Sequence, residues 1–400
     1  MSPSRAPRKT RKVGKIIPSV MHKPDYTLLI IVIFLLIFGL IMILDASVVF
    51  AHDQFGDKFR FFKNQLLWVT MGSALMLISI KFDYHKLKPL VIPMIIFTVL
   101  LLFIVLFMPE INGSRRWIDL GFATIQPSEV AKLTFVIYLS SLLSKIREKR
   151  VSSNFKDQIS EHFTKDLLPF LFVFTLICVL VLLEPDLGST LIIGATALAL
   201  YFLSGSDALH VFGTFIVVSV MGLVTVIAAI ISPYRLRRVE TFLPLLLRGD
   251  VEDPLGAGYQ IQQILIAIGS GGLMGLGFGE SRQKFQYLVE TTAVTDSIFA
   301  VIAEELGFVG SIVLLFAFAL FIFRGYKIAR RAPDKLGMLL ASGITFWLGL
   351  QAMLNIAANV ALVPLTGIPL PFISYGGSSL LVTLIGVGIL LNISKQTIEN

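Results

Sequence analysis

The sequence predicts an all-α polytopic membrane protein of about ten spanning helices, with both ends of the chain in the cytoplasm. Three observations predict it. Of the 400 residues 55% are hydrophobic and 15% charged, with mean hydropathy +0.82, and a soluble fold of that composition would lack the polar surface to cover itself. Apolar runs near the ~20 residues that cross a bilayer recur at 25–46, 64–80, 89–108, 129–144, 167–184, 186–204, 208–231, 297–323, 336–362 and 375–393. With the N-terminus placed inside, alternate loops carry 22 Lys and Arg on the inner side and 11 on the outer, and Lys132, within the fourth run, is the remaining one.

Taken in order, residues 1–24 contain RAPRKTRKVGK and read as a disordered basic tail. Together with SKIREKR after the fourth span, they suit anionic lipid headgroups; membrane lipids are the expected partner and nucleic acid is not. The first span is longer than the apolar core of a cleavable signal peptide. Residues 25–393 form the membrane domain and 394–400 a short cytoplasmic tail. The single cysteine, Cys178 in LFVFTLICVLVLL, leaves no disulfide or cysteine metal site within the chain and is expected to pack or to face lipid. EPDLGS is a tight link between the fifth and sixth spans, with Asp186 a candidate cap. The stretch 232–295, between the seventh and eighth spans, is too long for a plain connector. Within it, YQIQQILIAIGSGGLMGLGFGES is too short to cross and is broken by glycines, which predicts an interfacial or re-entrant element.

Three groups could carry chemistry. NGSRRWIDLGFATIQPSEVAKL offers Arg115 and Arg116 as planar cationic forks for phosphate or pyrophosphate, and Pro127 at the first position of a helix whose N-terminus favours an anion. Glu129 and Lys132 are three apart and can pair, which lowers the cost of Lys132 inside a span; a purely structural salt bridge is the plainer reading. LTGIPLPFISYGGSS combines prolines that exclude a regular helix with Gly376 and Gly377, which permit close backbone approach. TTAVTDSIFAVIAEELGFVG places Asp296, Glu304 and Glu305 at the outer mouth of a span. A helix running on outward would put Asp296 in its first turn, about 13 Å beyond Glu305, where it could serve as an N-cap. At ~100° per residue Glu304 and Glu305 would point apart, so the three acids are not expected to form a metal triad; the two glutamates read as packing or cavity-lining groups.

In this order, NGSRRWIDLGFATIQPSEVAKL, EPDLGST, GYQIQQILIAIGSGGLMGLGFGESRQKFQYL, DSIFAVIAEELGFVG and PLTGIPLPFISYGGSSLL resemble the signatures of the SEDS proteins (shape, elongation, division and sporulation), polytopic glycosyltransferases of bacterial cell-wall synthesis. The resemblance spans residues 25–393. DASVVFAHDQFGDKFRFFKNQLLW and SRQKFQYL are closer to its division branch, FtsW, than to its elongation branch, RodA. It implies polymerisation of lipid II, the undecaprenyl-pyrophosphate-linked disaccharide-pentapeptide, at the outer face of the bacterial plasma membrane, at the division septum. The family's essential acid falls on Asp296, its outer-loop Arg on Arg116, and the Glu and Lys of its QPSE and AKL motifs on Glu129 and Lys132. Arg115, Lys284 of SRQKFQYL and Ser378 of SYGGSS complete the expected substrate-binding set. This chain reads LVETTAVTD where family members carry LPE and a His before the Asp, so a different local loop is expected.

The implied reaction needs a base to take the acceptor hydroxyl proton and positive charge to stabilise departing pyrophosphate. Asp296 is the expected base of a single inverting displacement and Arg116 the pyrophosphate clamp. The resemblance also implies a divalent cation, Mg or Mn, although no ligand spacing for one is visible, and no organic cofactor. Its expected partners are a class B penicillin-binding protein and other division proteins. The alternatives are a lipid II flippase or transporter, for which intramembrane charge and a broken segment would also serve, and a non-catalytic division scaffold.

Overall fold

The structure, a computed structural model, describes residues 22–110, 114–121, 124–145, 168–204, 233–248, 258–282 and 292–397, with isolated positions 215, 219, 222, 251 and 253. In chain order the helices are α1 (Tyr26–Phe55), α2 (Arg60–Lys81), α3 (Val91–Val105), α4 (Pro127–Lys145), α5 (Leu168–Leu183), α6 (Leu187–Leu203), α7 (Pro233–Arg248), α8 (Tyr259–Ser270), α9 (Ile298–Arg330), α10 (Lys335–Asn359) and α11 (Gly377–Ser394). All but α7 and α8 coincide with expected spans. The expected span 208–231 falls outside the described residues apart from three isolated positions. Five segments are long and apolar enough to cross a membrane by length and composition: α1, Tyr84–Val105, α9, α10 and α11. Their lipid-facing residues are large and apolar, for example Ile92 at 71% exposure and Phe316 at 61%, a surface a soluble chain does not maintain.

Helix α1 outruns the predicted first span. Asp25 opens it by accepting from the Leu28 amide at 2.9 Å, and no residue able to stop it arrives until Gly56, whose φ of 69° closes the helix with a bond from its N–H to the His52 carbonyl. Thirty residues make about 45 Å, so the polar turns DASVVFAHDQF continue as helix beyond the hydrocarbon core, and the loop expected at 46–63 shrinks to 56–59.

Helix α4 lies at the centre. Ala131, Phe135, Leu139 and Leu143 face α5 and α6, while Leu133, Val136 and Ile137 join the larger core built on α1, α9, α10 and α11. Surrounded on both sides, α4 leaves Lys132 no route to solvent. Cys178 is fully buried, so it packs rather than facing lipid.

Polar groups gather at the two ends. At one, Arg324 pairs with Asp25 at 2.6 Å, the Asp25 amide donates to Ser394 Oγ, the Tyr84 hydroxyl donates to Asp334 and Asn392 donates to the Ile80 carbonyl. These bonds join the start of α1, the ends of α2, α9 and α11, and the start of α10. The first and last described helices therefore meet on one face, and the Lys and Arg asymmetry makes it cytoplasmic.

The glycine-rich segment folds back onto a spanning helix, α9, a partner the sequence does not reveal. Helix α9 breaks at Gly307 (φ 65°, ψ −162°), and the glycine loop after α8 takes up the freed backbone groups. Leu276 and Gly277 donate to the carbonyls of Glu304 and Glu305, while Phe308 and Val309 donate to Gly272 and Leu273. Irregular backbone at this depth requires such partners. The contact demands glycine, since a Cβ on Gly275 would stand 2.0 Å from the Glu305 carbonyl oxygen.

Candidate functional site at the outer end of the bundle

Four segments meet at the end opposite the cytoplasmic face. The first follows α3 as a two-strand hairpin, β1 (Ile118–Asp119) paired antiparallel with β2 (Thr124–Ile125), which delivers the chain to Pro127 at the start of α4. The second is the turn between α5 and α6. The third is the run of turns 292–297, and the fourth is the non-helical stretch 362–376 between α10 and α11.

Asp296 lies in the third segment, not in the helix. Helix α9 begins at Ile298, Ser297 occupies the cap position without a side-chain cap bond, and the N-cap reading of Asp296 is therefore corrected. Its carboxylate, partly exposed, accepts from the Thr295 hydroxyl at 3.1 Å. Its carbonyl accepts from Asn355 at 2.8 Å and from Asn359 at 2.9 Å, both on α10. The flanking residues are pinned as well: Ser374 Oγ donates to the Thr295 carbonyl and the Tyr375 amide to that of Val294. Gln65 on α2 in turn donates to the Ser374 carbonyl. The base expected from sequence is thus mounted on backbone ties to α10 and to the loop before α11, which α2 holds in turn.

Glu129 and Lys132 pair at 2.7 Å with both side chains 1% exposed. Lys132 Nζ also donates to Gln351 Oε1, which the Trp347 indole shares, and Gln351 Nε2 reaches the Pro369 carbonyl. Along α10, Trp347, Gln351, Asn355 and Asn359 recur every fourth residue and form one polar stripe. Over the eight residues from Gln351 to Asn359, about 12 Å, it links the buried lysine to the segment carrying Asp296. Gln351, Asn355 and Asn359 were not singled out from sequence, although their i, i+4 spacing in an apolar span was a readable signal.

Arg116 is not free. Its Nε donates to the Glu184 carbonyl at 3.0 Å and its Nη2 to that of Pro185, so two guanidinium nitrogens anchor the hairpin to the α5–α6 turn. Asp186 caps α6 through the Ser189 amide and accepts from Ser128 Oγ and Gln126 Nε2. Burial works to raise the Asp186 carboxyl, but Arg116, Ser189 and Lys132 outweigh it and hold it below the usual value. Burial and then the Asp186 charge push neighbouring Glu184 up to about 9 against the pull of Arg116, so Glu184 is protonated at neutral pH. Neither of its carboxyl oxygens has a hydrogen-bond partner among the described residues.

The remaining expected residues divide. Ser378 Oγ accepts from the Gln126 amide, tying α11 to the start of α4. Arg115 sits half exposed beside Glu110 at 3.2 Å, away from these ties. Lys284 lies outside the described residues. Glu304 and Glu305, expected to point apart, both reach the glycine loop: Glu304 accepts from Ser281 Oγ and the Arg282 amide, and Glu305 from the Ser281 amide. Their role is to seal the broken helix, which local angular spacing could not reveal because the partner is distant in sequence.

Comparison with known proteins fits this arrangement. The model of the FtsW/RodA/SpoVE family, described as cell cycle protein, matches residues 26–399. Stage V sporulation protein E of Bacillus subtilis is 39% identical over 379 residues, covering 94% of this chain and 98% of its own. The probable peptidoglycan glycosyltransferase FtsW of Geobacter metallireducens is 36% identical over 380 residues, covering 94% and 96%. Among solved structures, a chain from work on structural coordination of polymerization and crosslinking by a peptidoglycan synthase complex superposes with TM-score 0.71 at 27% identity, covering 93% of this chain and 97% of that one.

Proposed function

The chain belongs to the FtsW/RodA/SpoVE family of cell cycle proteins, and we propose that it is an inverting glycosyltransferase that polymerises lipid II into glycan strands at the outer face of the plasma membrane during cell division. The observation that carries this reading is the mounting of Asp296: a partly exposed carboxylate at the outer end of the bundle, its backbone held by Asn355 and Asn359. A base needs that fixity, because proton abstraction depends on hydrogen-bond reach to the acceptor hydroxyl.

In the proposed step Asp296 takes the proton of the acceptor sugar hydroxyl as its oxygen attacks the anomeric carbon of the donor. The bond to pyrophosphate breaks on the opposite side, and the configuration inverts. Arg116 keeps Nη1 without a protein partner among the described residues, and that nitrogen is the one we assign to the departing pyrophosphate. Glu129 and Lys132 support the floor through Gln351 and, beside Arg115, Lys284 and Ser378, remain the proposed substrate-binding set. Among the described residues no three acidic, His or Cys side chains converge to hold a metal ion, so these residues do not by themselves form a protein cage for the expected Mg or Mn.

The relative in a peptidoglycan synthase complex supports a partner enzyme for this chain. We assign that place to a class B penicillin-binding protein, with other division proteins alongside, and assign the whole to the septum. The test is polymerisation by purified protein with lipid II and the partner. Glycan ladders from the wild type and none from Asp296→Asn support the enzyme. Lipid II moved across a vesicle membrane without polymer identifies a flippase instead, and neither activity leaves a scaffold.

A further inference from the structure

On the cytoplasmic face, two adjoining cavities of about 340 and 370 Å³ open where α1 begins and α9 ends. Lys327 and Arg331 line both. Lys23 and Arg324 complete the first, and Arg330, set over the Tyr326 ring at 6.0 Å, the second. Arg324, Lys327 and Arg331 follow an i, i+3, i+7 spacing, so they share one face of α9, at the helix end whose dipole favours cations. Among the described residues Asp25 is the one acid on either wall, and both of its oxygens are engaged, by Arg324 at 2.6 Å and by the Leu28 amide at 2.9 Å. Lys23, Lys327 and Arg331 form no ion pair among the described residues.

The asymmetry of Lys and Arg across the membrane accounts for basic residues on this face. It does not account for their turning into shared cavities in which no described residue offers a free carboxylate. Above the cations, towards the bilayer interior, the wall is apolar and open: Tyr26 is 54% exposed, Ile30 65% and Phe323 59%. Tyr26 and Tyr326 line the two cavities beside the cations, a pairing of ring and charge that suits the headgroup region. We propose that the cytoplasmic ends of α1 and α9 bind the phosphate of an anionic phospholipid of the inner leaflet, with its acyl chains along the Tyr26, Ile30 and Phe323 wall. The shared chemistry is a phosphate oxyanion among three unpaired cations. Free phosphate would meet the cations and leave the apolar wall unused, so the lipid is the assigned source.

The test uses the full chain in phosphatidylcholine nanodiscs with phosphatidylglycerol titrated in, and native mass spectrometry to count retained anionic lipid. Three variants are compared with wild type: Lys327→Gln with Arg331→Gln, the conservative pair Lys327→Arg with Arg331→Lys, and Lys86→Gln with Lys88→Gln as a control of equal charge on the same face. The wild type, the control and the conservative pair are expected to retain phosphatidylglycerol, and the cavity pair to bind it about tenfold more weakly or worse. Equal retention by cavity pair and control overturns the proposal. So does loss of the bound lipid from wild type to millimolar inorganic phosphate, which would make this a site for the free anion.

Discussion

The Asn359 side-chain amide donates to the backbone carbonyl of Asp296 at 2.9 Å, and Asn355, one turn earlier on α10, donates to the same oxygen at 2.8 Å. Two amides on one carbonyl fix the peptide that carries the carboxylate without consuming the carboxylate itself.

Replacing Asn355 or Asn359 by alanine should therefore act on rate before it acts on folding. Each lost bond costs about 1–2 kcal/mol of stability, whereas a displacement of Asp296 near 1 Å can cost about 100-fold in turnover. Initial rates of lipid II polymerisation beside thermal melts of Asn355→Ala and Asn359→Ala check this; a melt shift with unchanged turnover would remove the positioning role.

The Glu129 and Lys132 pair should behave as a buried couple. Either Glu129→Gln or Lys132→Met alone leaves an uncompensated group beside Gln351 and should cost about 3–5 kcal/mol, while the double variant should recover much of the loss. Melting of the three variants in detergent measures the coupling, and additive losses would show that the pair does not stabilise the core.

How much of this was legible in the sequence depends on the range of the interaction. Helix positions followed from apolar length, and the Glu129 and Lys132 pair followed from i, i+3 spacing, since both are local. The cap at Asp186 was also local and readable. The anchoring of Arg116 to the carbonyls of Glu184 and Pro185 is not legible, because they lie almost 70 residues away and carry no side-chain signature. Asp296 looked like a cap because Asp suits that place, and only the turns 292–297, held by Ser374 and Tyr375 from beyond α10, displace it from the helix. The docking of the glycine loop on Gly307 is likewise a contact between backbones, which pattern alone does not encode.

Gly275→Ala should loosen that docking. The added Cβ meets the Glu305 carbonyl at 2.0 Å, and the residue's φ of 82° is itself unfavourable for alanine, so the cost should reach about 2 kcal/mol or more. Limited proteolysis between Gly271 and Arg282 should accelerate in the variant, and unchanged cleavage would mean that the loop tolerates the shift.

Glu184 predicts a pH signature. Its folded value is pushed up to about 9 from an ordinary value near 4.5, so its contribution to stability is complete below pH 4.5 and is lost as the pH rises through 9. Glu184→Gln should melt like wild type near pH 4.5 and progressively above it towards pH 9. Parallel melting curves across that range would show that Glu184 is not protonated in the fold.

The proposed reaction turns on Asp296 as its base. With the wild-type protein, its partner and lipid II, gel analysis should show glycan ladders. Asp296→Asn should keep the Asn355 and Asn359 bonds to the backbone, and with them the local fold, but should make no polymer. Ladders of wild-type length and rate from that variant would contradict Asp296 as the base.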